Sequence, residues 1–101
     1  MYELVILMTA DIKNTVLSKD FIKGAVSRTI KSRIEEINQK LADIQSSMKY
    51  FEKKYGMNTE EFYKNFLTGS LGDDMDYFEW KASRDVFKEL QDERKALFEA
   101  I

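Results

Sequence analysis

From Ile30 to Tyr55 the apolar side chains recur at alternating spacings of four and three: Ile30, Ile34, Ile37, Leu41, Ile44, Met48, Phe51 and Tyr55. That is a heptad seam sustained for more than three repeats. Ile34, Leu41, Met48 and Tyr55 take its a positions, and Ile30, Ile37, Ile44 and Phe51 its d positions. Ile22 and Val26 prolong the run upstream. Ser18 suits an N-cap, Asp20 suits the first turn, and Leu17 with Ile22 occupies the hydrophobic-staple positions. Gly56 is placed to end the helix in the left-handed conformation that glycine adopts freely. The pattern thus predicts a helix from about Lys19 to Tyr55, roughly 55 Å long at 1.5 Å per residue.

A second start signal follows at "MNTEEF". Asn58 is the N-cap, Glu61 stands at the capping-box position, and Met57 with Phe62 can staple the entry. This helix is short, about Thr59 to Leu67, and stops at the turn-forming "TGSLG". A third helix begins near Asp74 and runs to Ile101. Met75, Phe78, Ala82, Val86, Leu90, Leu97 and Ile101 form its main apolar stripe, and Trp80, Phe87, Ala96 and Phe98 widen it. The second and third helices together would span roughly 53 Å, close to the length of the first. The expected fold is therefore all-α: a long antiparallel, coiled-coil-like helical hairpin over residues 18–101, with a short intervening helix and a matched return leg. The whole chain reads as one domain. Residues 1–17 contain "YELVILM", which is equally a short buried strand or the start of a helix, and Met8 is an alternative first residue.

Composition sharpens this picture where it excludes things. Proline is absent and only four glycines occur in 101 residues, which favours long uninterrupted helices. Cysteine and histidine are both absent, so thiol nucleophiles, thiolate metal sites and the commonest general base are missing. No cofactor, no metal and no small-molecule substrate is expected, and an enzyme is disfavoured. The apolar run Leu4 to Met8 is too short for a bilayer and lacks the basic flank of a signal peptide, so a cytoplasmic location without membrane attachment is the expectation.

Charge is unevenly spread. The net charge of −2 divides into +3 over residues 1–33, −1 over 34–72 and −4 over 73–101. The e and g positions beside the seam hold Lys31, Arg33, Lys40 and Lys54 against one acid, Glu52. A parallel copy would oppose like charges, so the acidic third helix is the better partner along the seam. A homodimer that buries leftover apolar surface stays open beside it.

The densest chemistry lies in "GDDMDYFEW", Gly72 to Trp80. Its acids suit a helix N-terminus, where carboxylates complement the positive end of the dipole. Its rings ask for more. Tyr77, Phe78 and Trp80 point in different directions at 100° per residue, so a two-legged hairpin cannot bury all three. Exposed rings beside carboxylates make a binding hot spot. On that reading Asp73, Asp74, Asp76, Tyr77, Glu79 and Trp80 contact a partner, while Met75 and Phe78 hold the helix in place. The same acids could instead ligate a divalent metal, although no calcium-loop spacing is present. At the other end Lys23, Arg28, Lys31 and Arg33, with Lys13 and Lys19 nearby, form either a solvated face or a nucleic-acid contact through phosphates.

The run from Lys53 to Ala82, "KKYGMNTEEFYKNFLTGSLGDDMDYFEWKA", resembles small prokaryotic, largely archaeal, antitoxin-like helical proteins with the pattern KYGM[ST]xEEF…GELGDDxD[YF]FEW. The likeness covers about a third of the chain, and departs from the pattern at Asn58 and Ser70. It implies a non-enzymatic module of a toxin–antitoxin system that masks a small basic toxin through its acidic, aromatic helix start. A helical-hairpin structural protein that forms a homodimer is the alternative.

Overall fold

The computed structural model describes residues 16–101. Three helices follow in order: α1, Val16–Tyr55; α2, Thr59–Leu67; and α3, Met75–Ala100. Among the described residues there is no strand, and no helix is long and apolar enough to cross a membrane. The strand-or-helix reading of residues 1–17, with its alternative start at Met8, falls outside the described residues except for Val16 and Leu17, which are helical.

α1 and α3 pack antiparallel as a long hairpin, within an envelope of 64 × 22 × 18 Å. The seam of α1 faces inward as its spacing demands. Ile34, Ile37, Leu41, Met48 and Phe51 are buried, and Ile30, Ile44 and Tyr55 are half-buried. Ile37, Leu41 and Leu90 form one core cluster; Met48, Phe51, Phe62 and Trp80 form another. Ile44 and Phe87 pack against both and join them. The flanking charges also pair across the hairpin as their signs suggest. Arg33 clasps Glu93 at 2.6 and 2.9 Å, and Lys54 reaches Asp76 at 2.6 Å.

The α1–α2 boundary follows its local signals. Gly56 has φ +68° and its N–H donates to the Glu52 carbonyl at 2.9 Å, which closes α1. Asn58 caps α2, its side chain accepting from the Glu61 N–H at 2.8 Å.

Three expectations need correction. Ser18 does not cap α1, because the helix already begins at Val16, so Leu17 and Ile22 are not in staple positions either. Extending an established helix backward adds one hydrogen bond per residue without a new nucleation cost. The return leg is not matched in length. α2 does not run in line with α3 but lies over the bend, where Phe62 stacks on Trp80. α3 alone returns, with 26 residues against 40 in α1. Finally, the stripe from Met75 to Ile101 does not face inward along its whole length: of its members only Leu90 and Leu97 do, joined by Trp80 and Phe87, which were expected to widen it. Trp80 and Leu90 are buried and Phe87 and Leu97 half-buried, while Met75, Phe78, Ala82, Val86 and Ile101 are exposed. Two apolar stripes compete on the half of this helix nearest the bend. The one holding the indole wins because α2 supplies a second wall against it.

Candidate functional site

The bend is built around Trp80, whose side chain is fully buried. Phe62 stacks face to face on it, with centroids 3.9 Å apart and planes 4° apart. Phe51 and Tyr55 of α1 stack at 5.7 and 6.0 Å. The indole N–H donates to the Thr59 hydroxyl at 3.0 Å, and that hydroxyl donates to the Glu52 carboxylate at 3.0 Å. Glu52 also accepts from the Thr59 backbone N–H at 2.7 Å. One buried relay thus ties all three helices together, and among the described residues no buried side-chain polar atom lacks a partner. Outside the relay, Arg84 of α3 lies over the Tyr63 ring at 3.9 Å and meets Glu60 at 3.3 Å, fastening α2 from its other side.

Trp80 therefore cannot be the exposed anchor that the sequence suggests. Tyr77 is half-buried, with its ring 5.2 Å from Tyr55 and 5.8 Å from Phe62. Asp76 is pinned to α1: one carboxylate oxygen accepts from the Lys54 ammonium and from the Tyr55 hydroxyl, each at 2.6 Å. Those two donors, Lys54 foremost, hold the Asp76 carboxyl below its ordinary range. The same carboxylate, helped by burial, pushes the Tyr55 phenol up to about 12 and keeps it protonated. Asp76 is thus a strut of the bend. Asp74 caps α3, accepting from the Asp76 N–H at 2.9 Å.

What the bend leaves outside differs from the expected set. Asp73, Asp74 and Glu79 are exposed, and none is in an ion pair among the described residues. Beside them stand Met75 at 72% exposure, Phe78 at 47% and Leu67 at 62%. Phe78 meets Phe66 of α2 edge-on at 5.5 Å, which ties the stripe on α3 to the end of α2. At 100° per residue Met75, Phe78, Ala82 and Val86 share an arc of about 80°, with Glu79 at one border and Glu89 on the same arc one turn beyond Val86. Met75 and Phe78, expected to hold the helix in place, are instead its outward apolar face. The spacing of that stripe was legible. Which stripe faced solvent was not.

The arrangement offers apolar contact area with carboxylates around it. Among the described residues no three acidic side chains come together as metal ligands, so Asp73, Asp74, Asp76 and Glu79 do not converge on a common point. The basic residues of α1 are also dispersed. Lys23, Arg28 and Lys31 are exposed, whereas Arg33 is engaged by Glu93 and Glu36. At 100° per residue Arg33 faces about 160° away from Lys31, so the four do not line one face.

Comparison of the chain with protein-family models, with curated proteins and with solved structures finds no match.

Proposed function

We propose that this protein is a non-enzymatic interaction module whose bend binds a basic protein partner. The observation that carries the reading is the outward stripe Met75–Phe78–Val86, with Leu67 beside it, flanked by Asp73 and Glu79 and ended by Glu89, acids in no ion pair among the described residues. A stripe of large apolar groups facing water costs the isolated chain free energy that a partner's pocket would recover. Carboxylates at its rim favour Lys and Arg on the incoming surface, raise the association rate and select against acidic partners. Trp80, Tyr77 and Asp76 serve this surface from behind by fixing α2 and α3 at one angle. Antitoxin-like masking of a small basic toxin is the specific form suggested by the "GDDMDYFEW" motif.

Tagged chain and its Phe78→Glu and Glu79→Lys variants, passed through lysate of the source cells, test this. A single basic protein that is held by the wild type and lost from both variants supports the reading. A captured set unchanged by both substitutions refutes it. The same stripe favours one rival, a homodimer closed face to face through Phe78. In that case purified chain would double its mass with concentration, and Phe78→Glu alone would abolish the doubling.

A further inference from the structure

The two long helices and the start of α2 enclose a groove of about 380 Å³. α1 lines it with Gln45, Met48, Lys49 and Glu52, and α3 with Arg84, Phe87, Lys88 and Gln91. Each set stands at i, i+3, i+4 and i+7, which is one face of a helix. At 100° per residue Phe87 lies about 180° around α3 from Phe78, so the groove is on the other side of α3 from the outward stripe.

Antiparallel packing orders these residues along the groove. Glu52 and Arg84 stand at the α2 end, where Glu52 accepts from Thr59 and Arg84 meets Glu60 at 3.3 Å. Both carboxylates of the groove are thus engaged at that end. Lys49 and Lys88 come next, one on each wall, and Gln45 and Gln91 lie beyond them. Neither lysine is in an ion pair, and neither glutamine is hydrogen-bonded, among the described residues. Met48 belongs to one core cluster and Phe87 packs against both, so the floor is apolar.

Two ammonium groups on opposite walls repel each other, and an anion seated between them removes that cost. Arg84 adds a third positive charge on the same face of α3. The floor sets a second demand. Bare phosphate would leave most of the groove and its apolar floor in water, whereas the volume falls in the range of small-ligand pockets. A planar group resting on Met48 and Phe87 would meet the side-chain amides of Gln45 and Gln91, which offer donors and acceptors to its edge.

We infer that this groove binds a mononucleotide, its phosphate between Lys49 and Lys88 and its base on Met48 and Phe87. The site shares no residue with the stripe and stands or falls separately from the function proposed there.

The test uses the full, isotope-labelled chain with adenosine monophosphate as the probe. Titration followed by nuclear magnetic resonance should move the backbone amides of Lys49, Phe87 and Lys88 saturably, with a Kd below about 1 mM. Adenosine lacks the phosphate and ribose phosphate lacks the base, and each should bind at least about tenfold more weakly. Lys49→Glu and Lys88→Glu should each weaken binding about tenfold. Both side chains are exposed, so circular dichroism should show the helices intact. Lys64→Glu, outside the groove, and Phe78→Glu, on the stripe, should leave the affinity unchanged. Shifts that fail to saturate by about 5 mM overturn the inference. So does adenosine or ribose phosphate binding as tightly as the nucleotide. A loss with Lys64→Glu as large as with Lys49→Glu overturns it too, because the attraction would then belong to the whole surface.

Discussion

Replacing Trp80 by alanine removes the side chain on which all three helices converge. The indole is fully buried, sandwiched between Phe62 at 3.9 Å and the rings of Phe51 and Tyr55. Truncating a buried aromatic to alanine costs about 3–5 kcal/mol, transfer and cavity together. The Thr59 hydroxyl loses its donor in the same step but keeps Glu52 as its acceptor, so that loss is the smaller part. A chain of this size has a total stability of about 5–15 kcal/mol, so the variant would sit at or near the threshold of folding. With a urea slope of about 1.5 kcal/mol/M, a loss of 3 kcal/mol moves the midpoint down by about 2 M. Urea titration followed by far-ultraviolet circular dichroism measures the shift, since helix content is readable without the indole. Trp80 is the sole tryptophan, so its emission in the wild type should be that of a buried indole and should shift to the red across the same transition. Trp80→Phe separates ring from N–H: it keeps the stack, loses the hydrogen bond to Thr59, and should cost only about 1–2 kcal/mol. A midpoint shift under about 0.5 M for Trp80→Ala, or emission typical of exposed tryptophan in the folded chain, would refute the buried relay.

The remaining predictions concern smaller features. Asn58→Ala removes the acceptor for the Glu61 N–H and should cost about 1 kcal/mol in the same urea titration. Gly56→Ala meets no neighbouring atom within 4 Å, so its cost of about 1 kcal/mol would come from φ +68° alone, and Gly56→Asn should restore part of it. The carboxyls of Asp76, Glu93, Glu36 and Asp85 are lowered in the folded chain, first by Lys54, Arg33, Lys40 and Lys81 respectively. Their contribution is present above the ordinary values of 3.8 and 4.5 and is lost as pH falls through the lower folded values, so the melting temperature should drop in acid below about pH 4.5, less steeply at high salt. Tyr55 should ionise near pH 12, and Asp76→Asn should return one tyrosine of the spectrophotometric titration towards 10; superimposable curves would refute the Asp76–Tyr55 contact.

Most of the fold was legible because its signals are local or strictly periodic. The spacing from Ile34 to Phe51 identified the buried face of α1, and Gly56, Asn58 and Asp74 marked helix ends whose geometry depends on a few neighbouring residues. The bend was harder to read for a physical reason. Trp80 lies about 140° around α3 from the Met75–Phe78 stripe, and spacing alone gives each stripe a claim to the core. The decision came from α2, whose Phe62 and Thr59 lie 18 and 21 residues upstream and provide a flat ring and a hydrogen-bond acceptor for the indole. Such a long-range contact leaves no periodic trace in α3. The inverted assignment of the site followed directly: rings thought free were internal, and Met75 and Phe78, thought internal, were free. Asp76 was misread similarly, because its two partners, Lys54 and Tyr55, are 22 and 21 residues away on α1.

The two ends of the hairpin are held by different kinds of interaction. At the bend, three stacked rings and a hydrogen-bond relay surround Trp80, and their burial is indifferent to salt. Towards the open end, half-buried Leu97, the Arg33–Glu93 pair and the hydrogen bond from Arg94 to Asn38 are what tie α3 to α1. Both Arg33 and Glu93 are more than a third exposed at their side chains, 34% and 41%, so water and salt screen that tie. Amide exchange should therefore be slow around Phe51, Phe62 and Trp80, and should quicken along α3 towards Ala100 as ionic strength rises. A partner at the bend meets a preorganised stripe and loses little entropy by binding it. Exchange along α3 that ignored ionic strength, or that quickened equally at the aromatic cluster, would contradict that division.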